Sequence, residues 1–334
     1  MISCDVLSCS LVGVLGRYGV PEADSRFIVE TMVNADAAGY KEHGTIRMRQ
    51  LVDGLEGGTV TPVFAFDILE DRGASYVIDA LHSIGQVSSR HASMVAVQRA
   101  MEFGVGISGV INASHIGCLS YYTQLISENE CIGIAVTVSS PVVALPGGKK
   151  RILGTNPIAY SIPSDGYPIT ADFSTSMVSR GTVLRKAKCG EPIPTGWCVD
   201  KDGNPANDPN VINDGGCLLP FGGGIKASAL SLFISVVAGP LIGGVNNIFV
   251  EGTRYSNTSS NKGDVFIAIH IPHFSSIETF KAAIEELKGI IENDESDFRV
   301  PGKRAFEARS KTTEIEIDQS VVDLIENISK GGIV

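Results

Sequence analysis

Gly104-Val105-Gly106-Ile107-Ser108-Gly109 reads G-x-G-x-x-G, the spacing of a phosphate-binding turn, and the way it is read decides the fold. Such a turn needs a strand before it and a helix after it, so that the glycines bring a helix amino terminus onto a pyrophosphate. Here the order is reversed. Met94, Val97 and Ala100 recur at helical spacing from Ser88 or Ser89 onward and predict a helix that finishes near Gly104, while Val110-Ile111-Asn112 predicts a strand behind it. The glycines therefore read as a helix stop leading into a buried strand, and a Rossmann turn is set aside.

On the amino-terminal side, Pro21 opens a helix carrying Phe27, Ile28, Met32, Ala35 and Ala38 on its apolar positions, with Gly39 at its end. Arg47, Leu51, Val52 and Leu55 continue the helical period until Gly57-Gly58 and Pro62 stop it. On the carboxyl side, Ile132 to Val138, Ile158 to Ile162, Ile169 to Phe173 and Val265 to Ile271 read as strands. Cys189 to Phe221 is rich in Gly, Pro, Asn and Asp and predicts a long ordered loop. Lys226 to Val237 predicts an apolar helix. Ser275 to Ile291 predicts a second, with Ser275 and Glu278 as a capping box. Glu314 to Ile317 is a short strand and Gln319 to Ile328 a closing helix. The whole is mixed α/β.

The chain has 334 residues, 43% of them hydrophobic and 19% charged, which excludes a disordered, collagen-like or coiled-coil protein. Its 27 basic and 37 acidic residues give −10, so it offers no overall positive field for nucleic acid, and an anionic substrate needs locally placed cations. Seven scattered cysteines without a C-x-x-C pair point to reduced thiols in a cytoplasmic setting. Asp5 lies in the first apolar run and no cationic lead precedes it, which does not fit a secretory signal. The apolar stretch from Ser228 to Gly243 is interrupted by Pro240 and reads as a buried element rather than a membrane span.

Two histidines carry most of the chemistry. His43 stands four residues before Arg47, where a nascent helix can turn both toward one ligand, the guanidinium gripping a carboxylate and the imidazole exchanging a proton. The alternative is that both residues cap and solvate a helix end. His115 follows a strand and precedes Gly117, a place for either a functional or a structural imidazole. A cysteine nucleophile at Cys118 lacks any visible activating cation. His270-Ile-Pro-His273 reads as solvated rings at a strand end, so no metal site is expected. Lys149-Lys150-Arg151 reads as a solvated turn, with a cofactor phosphate as its alternative partner. Gly222-Gly223-Gly224-Ile225-Lys226 reads as a phosphate seat at a helix start or as a hinge. Trp197 reads as a packing anchor.

Taken in order, seven segments resemble the type 2 malate/L-lactate dehydrogenase family. They are His43-Gly44 with Arg47 and Leu55-Glu56-Gly57-Gly58; Asn112 to Gly117; Leu153-Gly154-Thr155-Asn156-Pro157; Asp172-Phe173-Ser174-Thr175-Ser176; Gly196-Trp197 with Asp200 and Gly203; Gly223 to Lys226; and Arg299-Val300-Pro301-Gly302. The resemblance implies a non-Rossmann mixed sheet that binds NAD or NADP over residues 71–291. It also implies a helical substrate and dimerisation region over 1–70 plus 292–334, and an intertwined homodimer. By position it makes His115 the proton acceptor, Arg47 the carboxylate clamp and His43 a second acid/base candidate. Asp172, Phe173, Ser174, Thr175, Ser176, Ile225, Lys226, Pro301, Gly302 and Lys303 match the family's cofactor-contacting positions.

The implied activity is hydride transfer between the nicotinamide and a small 2-hydroxy or 2-oxo acid, malate-like first. A cyclic imino-acid reductase is the alternative within enzymes, and a non-catalytic cofactor-binding homodimer the alternative outside them. Four positions depart from the family pattern: Glu42 replaces a Ser, Ala227 a Gly, Lys303 a Glu, and Val138 an Asn. Glu42 is expected to raise the pKa of His43 if the two approach, and Lys303 would tolerate the extra phosphate of NADP.

Overall fold

Gly104 closes a long helix with φ of 83°, and its N–H returns to Ala100 O at 2.7 Å. The next two glycines of the run serve packing. A Cβ on Gly106 would lie 2.1 Å from Ala96 O, and one on Gly109 2.6 Å from the Ile242 side chain. They admit a helix to one face of the sheet and a turn to the other.

The computed structural model describes residues 1–253 and 257–329. Its helices are α1 (Cys4–Arg17), α2 (Glu22–Ala37), α3 (Arg47–Glu56), α4 (Gly85–Phe103), α5 (Leu119–Ser127), α6 (Arg180–Cys189), α7 (Ile225–Val237), α8 (Ile277–Glu292), α9 (Lys303–Lys311) and α10 (Gln319–Ser329). The main sheet is made of β1 (Asp67–Arg72), β2 (Ser75–Asp79), β3 (Val105–Ile111), β4 (Cys131–Thr137), β5 (Ile158–Ile162), β6 (Ile169–Phe173) and β7 (Gly263–His270).

Its strand order is β1-β2-β3-β7-β4-β5-β6. Only β2 and β3 run parallel, from Ser75 opposite Ile107 to Asp79 opposite Ile111, with α4 as the crossover helix between them. This is a mixed sheet, as expected. Ala92, Ala96, Tyr122 and Ile126 of α4 and α5 cover one face against Ala135, Phe266 and Ala268. Ile234 of α7 and Ile242 cover the other against Val136 and Val265. The helices α1, α2, α3 and α10 share a separate apolar cluster around Leu11, Ile28, Val52 and Leu324. A third cluster gathers Val183 of α6 with Val143, Cys198 and Leu218 from the loop-rich segment, and Trp197 packs on it.

Several expectations need correction. The capping residue of α8 is Ser276, which accepts the Thr279 N–H, so the Ser275–Glu278 box does not form. α4 begins at Gly85, and β3 already at Val105. α7 is not a wholly buried element: Ala227, Ser231 and Ile234 face the sheet, while Leu232, Phe233 and Val236 lie outside. The apolar window Ile225–Ile242 passes by composition for a membrane span, but its helix stops at Val237 before Gly239 and Pro240. Thirteen residues make about 20 Å of helix, short of a bilayer core of roughly 30 Å.

Candidate active site

The segment before α3 is fixed by one buried carboxylate. Asp36 of α2 accepts both the N–H of Thr45 at 2.8 Å and its hydroxyl at 2.6 Å. Gly44 must be a glycine for this, because a Cβ there would sit 2.0 Å from Asp36 Oδ1. His43 ends a short 3₁₀ turn on one side of Gly44, and Arg47 opens α3 on the other. The guanidinium is aimed by two bonds: Nε donates to Glu42 O at 2.6 Å and Nη1 to Gln50 Oε1 at 3.0 Å.

His115 comes from the loop between β3 and α5. Gly117, at φ of 79°, turns the chain back so that its N–H donates to His115 Nδ1 at 3.1 Å. The two imidazoles stack, with centroids 5.6 Å apart and planes 15° from parallel.

Burial and the Arg47 charge hold His43 neutral, down to about 4, and the opposing pull of Glu42 does not offset them. Burial, Arg47, His43 and Lys262 hold His115 well below its ordinary value. The Glu42 carboxylate is occupied elsewhere: it accepts the hydroxyls of Ser179 and Thr182 at the start of α6, the second at 2.6 Å.

His43, Arg47 and His115 line one cavity of about 390 Å³ together with Glu42, Thr137, Val138, Ser139, Thr155, Cys118, Asp172, Phe173, Ser174, Arg180 and Lys262. Arg180 adds a second guanidinium, near enough to depress Arg47 further after burial and against the pull of Glu42. Lys262 is buried and bound to both carboxylate oxygens of Asp264. Neither Arg180 nor the Lys262–Asp264 pair is singled out by sequence reasoning. The pair stands in a polar stretch, Ser259-Ser260-Asn261-Lys262-Gly263-Asp264, just before an apolar strand, where a lysine ordinarily reads as solvated. Burial pushes the Cys118 thiol well up, which gives no support to a cysteine nucleophile.

The cofactor candidates are only partly gathered. Asp172 reaches the cavity wall, but its carboxylate accepts the Ser120 N–H at 2.9 Å at the start of α5. Phe173 and Ser174 line the cavity, and Thr175 and Ser176 are buried behind them. Phe221 joins this segment to the glycine run, since its N–H donates to Thr175 O at 3.0 Å and its ring meets Phe173 edge-on. Ile225 and Lys226 follow at the exposed start of α7. Pro301, Gly302 and Lys303 lie outside the cavity wall, with Thr170 N donating to Pro301 O and Lys303 Nζ on Glu292 at 2.7 Å. Arg151 is spent on Gly216 O and Ile212 O, while Lys149 and Lys150 are exposed.

A family model for malate/L-lactate dehydrogenase matches residues 2–326. The chain belongs to that family. It is 37% identical over 322 residues to a malate/(S)-sulfolactate dehydrogenase of Methanothermus fervidus, covering 96% of this chain and 94% of the relative. It is 32% identical over 309 residues to a Δ1-pyrroline-2-carboxylate/Δ1-piperideine-2-carboxylate reductase of Pseudomonas aeruginosa, covering 90% of each. Among solved structures, the sulfolactate dehydrogenase of Methanocaldococcus jannaschii superposes with a TM-score of 0.92 at 33% identity, covering 99% of this chain and 96% of that one.

Membership of this malate/L-lactate dehydrogenase family gives the shared segments a physical reading. In Leu153 to Pro157, a Cβ on Gly154 would strike Ser139 O at 2.3 Å, and Asn156 Nδ2 donates to Ser231 of α7 and to Asn247 Oδ1. That family motif fastens α7 to the sheet. Val138, one of the departures, stands at the cavity wall and is buried in the apolar cluster of Val136, Ile234 and Val265.

Proposed function

We propose that this chain is a nicotinamide-dependent dehydrogenase of a small 2-hydroxy acid, malate-like, using NAD or NADP in a cytoplasmic setting. The observation that carries the reading is the meeting of His43, His115 and Arg47, from separate stretches of chain, in one cavity. Arg47 is tied to the scaffold by two of its N–H groups and keeps the others for a substrate carboxylate. In this reading the stacked imidazoles take up the proton that leaves the substrate hydroxyl.

The residues fit a dinucleotide. No capping side chain from the described residues meets the first turn of α7, so its amides, with Lys226 beside them, are open to phosphate. Asp172 to Ser176 run alongside through Phe221. When bound, the nicotinamide supplies or accepts the hydride at C2. Lys303 is held by Glu292 rather than aimed at this groove, which gives no support for NADP over NAD.

The outer face of α7 and the turns after it expose Ile225 at 80%, Phe233 at 59%, Leu241 at 65% and Phe249 at 66%. These exposed apolar side chains lie within residues 71–291 rather than in the 1–70 plus 292–334 region that the resemblance implies for dimerisation, and they support a homodimer in which a second copy covers them. Sedimentation equilibrium of wild type and Phe233→Glu checks this, and a wild-type monomer refutes it.

Oxidation of NADH or NADPH with oxaloacetate, pyruvate, phenylpyruvate and 2-oxoglutarate tests the activity. His115→Ala is expected to lose turnover and keep cofactor affinity, and a normal rate in that variant removes the assignment. The likeness to the cyclic imine reductase of Pseudomonas aeruginosa supports a second reading, in which turnover is seen only with a cyclic imine.

A further inference from the structure

We propose that Arg180 is a specificity-determining residue of this cavity, gripping a second carboxylate carried on C3 of the 2-hydroxy or 2-oxo acid. Dianions are thereby selected over monoanions of the same shape. This rests on the dehydrogenase reading above and narrows its substrate class.

Arg180 is the first residue of α6, and one stripe of that helix faces the cavity. Arg180, Gly181 and Leu184 all line it, with Leu184 one turn beyond Arg180, while Val183 is turned away into the third apolar cluster. The first turn of α6 is pinned to the segment that carries Arg47. Ser179 and Thr182, on either side of Arg180, give their hydroxyls to the Glu42 carboxylate, and Gly181 leaves room for it. The Glu42 carbonyl accepts Arg47 Nε at 2.6 Å. Two guanidinia are therefore held on adjoining walls through one residue. They are near enough for Arg180 to depress Arg47, after burial and against the pull of Glu42.

The other ionised groups that line the cavity are already engaged. Lys262 is held by both oxygens of Asp264, Glu42 by its two hydroxyl partners, and Asp172 by the Ser120 N–H. The C1 carboxylate of the substrate meets the Arg47 fork. A monoanion such as pyruvate would set a methyl group toward Arg180 and strip water from the guanidinium without a compensating bond. A carboxylate on C3 replaces that water by charge-assisted hydrogen bonds. A guanidinium carries more N–H donors than a scaffold contact uses, so Arg180 can be steadied by the protein and still meet an anion.

The test reads selectivity within each enzyme. At saturating NADH or NADPH, kcat/KM is measured for oxaloacetate and for 4-methyl-2-oxopentanoate, in which an isopropyl group replaces the second carboxylate. Wild type is expected to favour oxaloacetate by about 10² or more. Arg180→Gln is expected to lower that ratio by about 10², through oxaloacetate, with NADH affinity by fluorescence within about threefold of wild type. Arg180→Lys should keep part of the preference, since the charge remains without the fork. A wild-type preference below about tenfold overturns the role of Arg180 without any variant, and leaves a dehydrogenase of monoanions standing. An equal loss for both substrates in Arg180→Gln overturns it too and makes the residue part of the scaffold. So does a loss of NADH affinity of about tenfold with the ratio kept, which gives the residue to the cofactor. Wild-type silence with every 2-oxo acid overturns the dehydrogenase reading as well.

Discussion

Replacing Arg47 by Met removes the cation while keeping most of the volume of a buried side chain at the head of α3. The guanidinium spends one N–H on Glu42 O and one on Gln50 Oε1, so a substrate carboxylate meets a fork already aimed. Hydrogen bonds to a charged group are worth about 1.5–3 kcal/mol each, so a two-bond clamp contributes about 3–6 kcal/mol. The expected fall in kcat/KM is therefore about 10² to 10⁴, with cofactor affinity unchanged. Initial rates over a range of oxaloacetate at saturating NADH or NADPH measure the first quantity, and fluorescence titration the second. A second readout comes from the imidazoles. Arg47 is the second largest cause of depression, after burial, at both His43 and His115, so both should titrate at higher pH in the variant, as read by histidine NMR. A loss of less than tenfold in a folded, cofactor-binding variant refutes the clamp. Lys at this position should rescue little, since a point charge cannot reproduce both scaffold bonds and the fork.

Gly44→Ala forces a Cβ against Asp36 and breaks the pair of bonds that hold Thr45, at a cost of about 3 kcal/mol in urea unfolding. A loss under about 1 kcal/mol would mean that Asp36 does not fix this segment. Acidification supplies another check. His43 is neutral in the fold down to about 4, whereas the unfolded chain takes up the proton near 6.5, so the unfolded state binds more protons between those values. Stability should fall as pH drops through that window, by up to about 1.4 kcal/mol per pH unit for this group. His43→Gln should flatten the slope, and an unchanged slope would contradict a buried neutral ring.

The parts of the fold that follow a strict period were legible. α2 lies between Pro21 and Gly39 as its punctuation demands, and α7 fills its predicted span. The glycine run was read correctly from the order of its neighbours. α1 was not recognised, because Ser8, Cys9, Ser10 and Gly13 dilute its apolar pattern and no side chain caps its start. β1 is exposed along its length and strongly charged, as an edge strand can be, so no alternation marks it. At the site, the histidines and Arg47 were legible as short-range patterns. Lys262 and Asp264 were not, because a lysine in a turn ordinarily reads as solvated, and its burial follows from where β7 lies between β3 and β4. The expected influence of Glu42 on His43 was right in sign. Its weight was overruled by desolvation, which no sequence pattern reports.

Glu42 has one further consequence. Its carbonyl aims Arg47 while its carboxylate holds the first turn of α6, and Gly181 leaves only enough room for that carboxylate, with a Cβ there falling 2.9 Å from its carbon. Two walls of the cavity are thus spliced through a single residue. Any tilt of α6 drags the carbonyl that points the guanidinium, so the opening of that wall and the bearing of the anion grip form one mechanical degree of freedom.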